Sequence, residues 1–405
     1  MSHLGYMEKL LDGVEVEWKP LGEVCDFKNG FAFKSSLFKE TGLPIIRITN
    51  IDGKNVDLSD VKYFNPTDYT KGNPLNYSIS KGDILIAMSG ATTGKIGYYN
   101  SSETAYLNQR VGKFEPQQEI INNRYLYHFL LTKTSFIYVL AGGGAQPNLS
   151  SNNLKEKLLV PIPYPNSPKE SLEIQAEIVR ILDTFTELTA ELTAELTARQ
   201  QQYAYYREQL LTFEEREVEW KELGEVCESI SSGKNKIKSE LGLYPVFGST
   251  GIIGRTDTKV YEKEQILVAR VGANAGRVNI ATGEYDVSDN TLIVQNKDSI
   301  VLKFLYYYLV YINLNRFTKG AGQPLLTAGQ LKKMLIPTPP ISEQKRIVSI
   351  LDKFDALTTS LTEGLPREIA LRQQQYEYYR DQLLSFPKPE VVAHDWPNKN
   401  HCWIE

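Results

Sequence analysis

Val16-Glu17-Trp18-Lys19-Pro20-Leu21-Gly22-Glu23-Val24-Cys25 recurs as Val218-Glu219-Trp220-Lys221-Glu222-Leu223-Gly224-Glu225-Val226-Cys227, nine of ten residues identical at an offset of 202. Further along, Ile178-Val-Arg-Ile-Leu-Asp183-Thr-Phe185 recurs as Ile347-Val-Ser-Ile-Leu-Asp352-Lys-Phe354 at an offset of 169. Arg199-Gln-Gln-Gln-Tyr203 through Phe213 recurs as Arg372-Gln-Gln-Gln-Tyr376 through Phe386 at an offset of 173. Three matches in the same order make the chain two copies of one plan. The offset falls by 33 (202 − 169), so the first copy holds 33 more residues between its Trp motif and its helix. Weaker matches persist inside: Ile84–Ala87, Gly90 and Gly94-Lys95 pair with Ile266–Ala269, Gly272 and Gly276-Arg277, and Gln146-Pro147 pairs with Gln323-Pro324.

Between the repeats, short β-branched runs (Pro44–Thr49, Ile84–Ala87, Gln265–Ala269, Thr291–Val294) are broken by Gly, Asn and Pro, which predicts two β-rich domains, 14–165 and 216–340. Tyr125–Leu131 and Phe304–Ile312 are expected to be buried helices. Pro161–Pro165 and Pro337–Pro340 are expected to be linkers that end each domain, because Pro stops regular structure. Helices are expected over 166–215 and 341–386. Ile174, Ile178, Ile181, Phe185 and Leu188 step 4-3-4-3, a coiled-coil seam. The tandem Thr-Ala-Glu-Leu units at 189–196 then shift Leu188, Leu192 and Leu196 to steps of four. Ile347, Ile350, Phe354, Leu357 and Leu361 continue the pattern in the second copy, and Gly364-Leu-Pro366 should break or kink it. The expected fold is α+β: two β-rich domains separated by two long antiparallel, coiled-coil-like helices that bury their seams on each other. Residues 1–13 form an N-terminal segment, and 387–405 are expected to be a flexible tail.

The 405 residues carry 45 Lys+Arg against 49 Asp+Glu, a net charge of −4. That total alone argues against nucleic acid, but it is unevenly spread. Residues 14–160 are +2 (16 − 14), 216–340 are +3 (16 − 13) and 161–215 are −6 (4 − 10). Three Cys exclude a disulfide scaffold and fit a reducing compartment. No secretory leader is expected, and the longest apolar run, Phe304–Ile312, is too short to span a bilayer, so a cytoplasmic location is expected.

Catalytic motifs fail. Gly90-Ala-Thr-Thr-Gly94-Lys95-Ile96 has three residues between its glycines and no Ser/Thr after Lys, so it is a tight turn rather than a phosphate loop. His3, His128, His394 and His401 have no metal-ligand spacing, and neither a metal nor a cofactor is expected. Loop residues suited to DNA remain. Asn108-Gln109-Arg110 and Asp289-Asn290 match base edges, Lys28, Lys34, Lys234, Lys236 and Lys238 suit phosphates, and Asn274 is a further candidate. Arg47, Thr92, Thr93, Lys95, Gln146, Asn148, Arg255, Arg270, Arg277, Lys319 and Gln323 complete the candidates; for any single residue a solvated polar loop is the blander explanation. Tyr203, Tyr206, Leu210 and Phe213, with Tyr376, Tyr379, Leu383 and Phe386, form two matching helical stripes. They serve either as core within the chain or as twin docking sites for two copies of one partner.

These features together (near-identical helices after two diverged domains, tandem TAEL units, Pro-rich joints and the closing Leu383-Leu-Ser-Phe-Pro-Lys-Pro-Glu390) resemble the specificity subunits of type I restriction–modification enzymes, closest to the type IC group. The resemblance covers residues 1 to about 390. It implies that each β-rich domain reads one half of an asymmetric bipartite site in double-stranded DNA. Spacer positions Leu188, Leu192, Leu196, Ile347, Phe354 and Leu361 would help set the gap. Two modification subunits would dock and methylate adenine using S-adenosylmethionine, two restriction subunits would add ATP-driven cleavage, and this chain would be non-catalytic. Four helical residues add about 6 Å, so deleting Thr193–Leu196 is expected to shorten the preferred gap by about one base pair. The rival readings are a DNA-binding regulator acting alone, which the weak domain charges disfavour, and a coiled-coil interaction protein, which leaves the diverged domains unexplained.

Overall fold

The computed structural model describes residues 10–144, 147–236, 239–320 and 322–386. Its contacts divide the chain into two units, 1–189 with 371–405, and 190–370. Each unit therefore holds a β-rich domain, the start of the helix that follows that domain, and the RQQQY segment of the other sequence repeat.

In the first unit the elements run β1 (Val16–Pro20), α1 (Leu21–Val24), β2 (Cys25–Asn29), β3 (Leu43–Ile46), β4 (Lys62–Phe64), β5 (Ser78–Ile79), β6 (Ile84–Ala87), β7 (Ile96–Tyr98), β8 (Ala105–Leu107), β9 (Val111–Pro116), α2 (Asn123–Leu131), α3 (Thr134–Leu140), α4 (Ser151–Lys157) and β10 (Leu159–Pro163). Helix α5 (Pro168–Leu211) follows. One sheet has the order β2-β9-β6-β7 and another β4-β3-β8-β5. The continuous apolar run Ile84–Ala87 is buried throughout, as a strand covered on both faces must be. Ile84 and Ile86 face one core with α2 and α5, while Leu85 and Ala87 face a second core with Ile46 and Leu107, the period of two expected of a strand.

The second unit repeats this frame: β11 (Glu219–Glu222), α6 (Leu223–Val226), β12 (Cys227–Ser232), β13 (Tyr244–Gly248), β14 (Gly251–Thr256), β15 (Gln265–Ala269), β16 (Val278–Ala281), β17 (Asp286–Val287), β18 (Thr291–Asn296), α7 (Leu302–Tyr311), α8 (Ala328–Lys332), β19 (Leu335–Thr338), α9 (Ile341–Thr359) and α10 (Gly364–Leu383), the last ending in the first unit. Its sheets are β12-β18-β15-β16 and β14-β13-β17. The parallel pairing of β3 with β8 recurs as β13 with β17. The α+β class, both β-rich domains and the buried helices at α2 and α7 agree with the sequence reading.

Three expectations need correction. First, the Pro-rich segments are strands, not linkers: β10 pairs with β1 and β19 pairs with β11, placing Trp18 opposite Pro161 and Trp220 opposite Pro337. Pro20, Pro161 and Pro163 fall on one parity of the ladder, whereas Tyr164 N–H to Glu15 and Leu21 N–H to Leu158 lie on the other. A missing amide there costs no ladder bond. Second, the partner helix does not cover the early seam alone, although Tyr376 and Leu383 of α10 share its core. Ile174, Ile178, Ile181 and Leu182 are buried in their own domain's core with Leu126 and Leu130, and Ile347 and Leu351 likewise with Phe304 and Leu305. A 3-4 pattern reports that a stripe is covered, not by what. Leu188, Leu192 and Leu196 beyond it are half-buried.

Third, Leu361 does not join the seam, because the second helical segment is two helices. As Gly364-Leu-Pro366 suggested, the chain breaks between Thr359 and Gly364, and Ser360 Oγ accepts the amides of Thr362 and Glu363 at 3.3 and 3.1 Å. Gly364 has φ +79°, and a Cβ there would stand 2.3 Å from the Ala356 carbonyl oxygen, so only glycine fits. Leu361, expected in the seam, sits in this break and is 80% exposed. Among the described residues no helix is long and apolar enough to cross a membrane. Residues 387–405, read as a flexible tail, lie outside the described residues.

Candidate nucleic-acid interface

In the first unit, the loops after β3, β6 and β8 and the segment before α4 converge where β6 ends. The Gly90 amide donates to the Pro147 carbonyl at 3.2 Å, Leu149 N–H to Met88 at 2.8 Å, and Met88 N–H to Arg110 at 2.9 Å. Gly94 N–H returns to Ala87 at 2.9 Å and Lys95 N–H to Thr92 at 3.0 Å, closing the glycine turn. Both glycines have positive φ, +79° and +85°, the reason for the Gly-x-x-x-Gly spacing.

The second unit draws the same lattice with different residues. Gly272 N–H donates to Pro324 at 3.0 Å, Leu326 N–H to Arg270 at 2.8 Å, Arg270 N–H to Asn290 at 3.0 Å, Gly276 N–H to Ala269 at 2.8 Å and Arg277 N–H to Asn274 at 2.9 Å. The frame is thus held by backbone, which tolerates any side chain, and the side chains at its open end are free to differ. Arg110 and Asn290 occupy the same node, as do Lys95 and Arg277.

The candidates separate accordingly. Thr92, Lys95, Asn108, Gln109, Arg110 and Asn148 gather at this end of the first unit, with Gln109, Arg110, Lys95 and Asn148 exposed. Arg270, Asn274, Arg277, Asn290, Lys319 and Gln323 gather at the corresponding end of the second, where Lys319 and Leu325 exchange both backbone bonds. Lys234 and Lys236 are exposed and flank Asn235, whose backbone binds Val287 and Asp289, so they join this group. Lys28 lies 5.9 Å from the Tyr77 ring centroid, and Lys34 is exposed ahead of a short turn. Gln146 and Lys238 lie outside the described residues.

Three candidates are already engaged within the fold. Thr93 is 5% exposed, and its hydroxyl donates to the Gly90 carbonyl at 2.7 Å. Arg255 donates to the carbonyls of Gly242 and Leu243 at 2.7 and 2.6 Å, stapling the entry to β13. Arg47 leans on Asp60, with a backbone bond of 3.3 Å and a carboxylate at 3.7 Å, which spends much of its charge. Arg47 and Arg270 each keep a buried Nε without a partner. A guanidinium poised this way still has donors to offer to an acceptor that displaces its neighbours.

Most of the stripe residues pack within their own units. Tyr376, Leu383 and Phe386 are buried in the first unit, and Leu210, Phe213 and Tyr203 pack into the core of the second. Tyr379 stacks on Phe185 with centroids 5.1 Å apart, and Tyr206 and Tyr203 stack on Phe354 at 5.6 and 5.8 Å. Tyr206 on the stripe stays 40% exposed, and the off-stripe residues Tyr205 and Tyr378 are 59% and 52% exposed, so the accessible aromatic surface of these helices lies mainly beside the stripe.

Two buried devices escaped sequence reasoning. Gln175, wholly buried, accepts the Asn122 amide at 2.8 Å and donates to the Ile120 carbonyl at 3.1 Å, tying α5 to the start of α2. Gln344 does the same with Val301 at 2.7 Å and Pro339 at 2.8 Å. Asp183 accepts from Arg124 and from His128 Nε2, which leaves His128 Nδ1 to accept the Tyr376 hydroxyl at 2.8 Å. Burial pushes the His128 imidazole below its ordinary value and keeps it neutral. Burial alone would raise Asp183, but the bonds from His128 and Arg124 outweigh it and hold the carboxyl down to about 2. In the second unit Asp352 takes Tyr307 and Lys303 at 2.7 and 2.8 Å. The available signal was invariance: Gln175/Gln344 and Asp183/Asp352 share the 169 offset.

Comparison with known proteins bears on this arrangement directly. The family model for the type I restriction modification DNA specificity domain matches twice, at residues 13–199 and 215–371. The chain is 38% identical to the EcoR124I/EcoR124II type I restriction enzyme specificity subunit of Escherichia coli, across 97% of this chain and all of that one. It is 35% identical to the EcoprrI specificity subunit of the same species, across 90% of this chain and 93% of that one. A crystal structure of a type I restriction–modification S subunit from M. genitalium superposes with a TM-score of 0.58 at 18% identity, covering 93% and 98% of the two chains, a likeness of fold.

Proposed function

Because the chain belongs to the type I restriction–modification DNA specificity family, we propose that it supplies sequence recognition to such a complex and carries no active site of its own. One observation supports this most: an identical backbone lattice presents dissimilar side chains in two copies, Arg110 and Lys95 in one, Asn290 and Arg277 in the other. A catalytic pair of domains would keep the side chains and let the frame drift. A reader of two different half-sites needs the reverse. The target is then bipartite and asymmetric double-stranded DNA.

Two modification subunits would hold S-adenosylmethionine and methylate adenine, two restriction subunits would consume ATP, and the assembly would work in the cytoplasm. The modest domain charges of +2 and +3 fit a chain whose partners provide part of the phosphate contact. The tandem TAEL units at 189–196, which α5 carries without interruption, support the IC-like placement.

The test is methylation mapping of the reconstituted complex. Arg110→Ala should relax one half-site and Arg277→Ala the other, each by about ten- to a hundredfold at one or two positions. If both variants weakened all sites evenly, these residues would be phosphate contacts and the assignment of readout to these loops would fail.

A further inference from the structure

The two units differ most at one edge. In the first, β3 and β4 are joined by residues 47–61; in the second, β13 and β14 are joined by Ser249 and Thr250 alone. The longer connection folds across the outer edge of β7. Tyr98 N–H donates to Lys54 at 3.0 Å, Val56 N–H donates to Tyr98 at 3.3 Å, and Asn55 bridges Tyr98 in parallel. Tyr127 on α2 clamps this strap, its hydroxyl donating to the Lys54 carbonyl at 2.8 Å.

The second unit keeps the receiving surface and lacks the strap. β16 is the edge strand of its sheet, and its ladder with β15 points the Ile280 amide and carbonyl outward, where no described residue pairs with them. Tyr306, in register with Tyr127, has a hydroxyl with no hydrogen-bond partner among the described residues. Beside it lies an open groove of about 590 Å³ lined by Ile280, Tyr306, Asp355 and Glu363. Lys303 is paired to Asp352 at 2.8 Å, so the groove's remaining charge is the two carboxylates of Asp355 and Glu363.

An exposed sheet edge is a standing template for another strand, and the first unit shows what fits it. We infer that the β16 edge and its groove dock an extended, basic segment of a partner protein chain. That segment adds as a strand to Ile280, gives a backbone carbonyl to Tyr306 and sets a cation against Asp355 and Glu363. The site borders the loops assigned to DNA, since Arg277 directly precedes β16 and lies close enough to Tyr306 to act on its hydroxyl electrostatically.

The probe is a labelled peptide of residues 50–58 of this chain with Asp52→Lys and Asp57→Lys, titrated against the full-length protein by fluorescence anisotropy. Saturable binding is expected, at least about fivefold tighter than for the unaltered, acidic peptide. Tyr306→Phe should weaken it by about fivefold, the effect of one hydrogen bond, and Glu363→Lys should erase the preference for the basic peptide. Glu363 lies in the exposed break between α9 and α10, so that variant leaves the core intact. No saturation by about 1 mM, or binding indifferent to both substitutions, would overturn the inference. So would loss of duplex DNA affinity in Tyr306→Phe with peptide binding unchanged, which would give the groove to nucleic acid.

Discussion

Replacing Gln175 with Leu isolates what the buried amide contributes. The side chain has no exposed surface, and Leu preserves its volume but none of its bonds. The part-buried Asn122 amide at 2.8 Å and Ile120 carbonyl at 3.1 Å would lose their partner, as would the buried Ser171 hydroxyl at 3.1 Å. Each stranded backbone group costs about 1–3 kcal/mol. Two of them, offset by about 1 kcal/mol for the added apolar burial, leave a loss of about 3 kcal/mol. Opening of the α2 region should become roughly a hundredfold more frequent. Hydrogen exchange followed by mass spectrometry reads this locally: amides across 122–131 should lose protection while those across 301–311 keep theirs. Gln344→Leu, which strands Val301 N–H and the Pro339 carbonyl, should produce the mirror pattern. Equal loss in both regions from either variant, or a loss under about tenfold, would refute the idea that each glutamine secures its own domain to the helix that follows it.

Acid should open the first unit before the second. The unfolded His128 takes up a proton near its ordinary value of 6.5 and the folded, neutral one resists, so stability starts to fall as pH drops through that value. Asp183 adds stability above the usual carboxylate range that is lost as pH falls toward about 2; equal exchange profiles for α2 and α7 between pH 7 and 5 would contradict this. Glycine turns offer a matched pair: a Cβ at Gly276 would stand 2.3 Å from the Asn315 nitrogen, whereas at Gly272 it meets nothing within 4 Å. Both have positive φ, so Gly272→Ala should cost about 1 kcal/mol and Gly276→Ala clearly more, measured by denaturant unfolding. Deleting Thr193–Leu196 removes about 6 Å of α5 and should shift the preferred half-site gap by about one base pair on a ladder of spacer lengths, with both half-sites unaltered.

Much of this was legible in the sequence because duplication reveals frame. Motifs shared between the copies located both domains and the glycine turns, and Gly364-Leu-Pro366 marked the break. What stayed hidden was the identity of the covering partner. Ile178 and Tyr376 advertise burial by their spacing, yet periodicity is one-dimensional and says nothing of which element lies opposite. The prolines of β10 misled for a related reason, since a strand whose alternate amides face away from its partner accepts proline freely. Composition also does not reveal that a carbonyl already occupies a donor, as at Thr93 and Arg255.

The exchange of RQQQY segments has a consequence for synthesis. The second unit is one continuous stretch, 190–370, whereas the first is closed by Tyr376, Leu383 and Phe386. The 181 residues from 190 to 370 emerge between its two parts. At ribosomal speeds of about 5–20 residues per second, its hydrophobic seat stays open for roughly ten to forty seconds. The portion translated first is thus the last to be finished, and that interval is when a nascent chain most needs a chaperone or a neighbour to cover it.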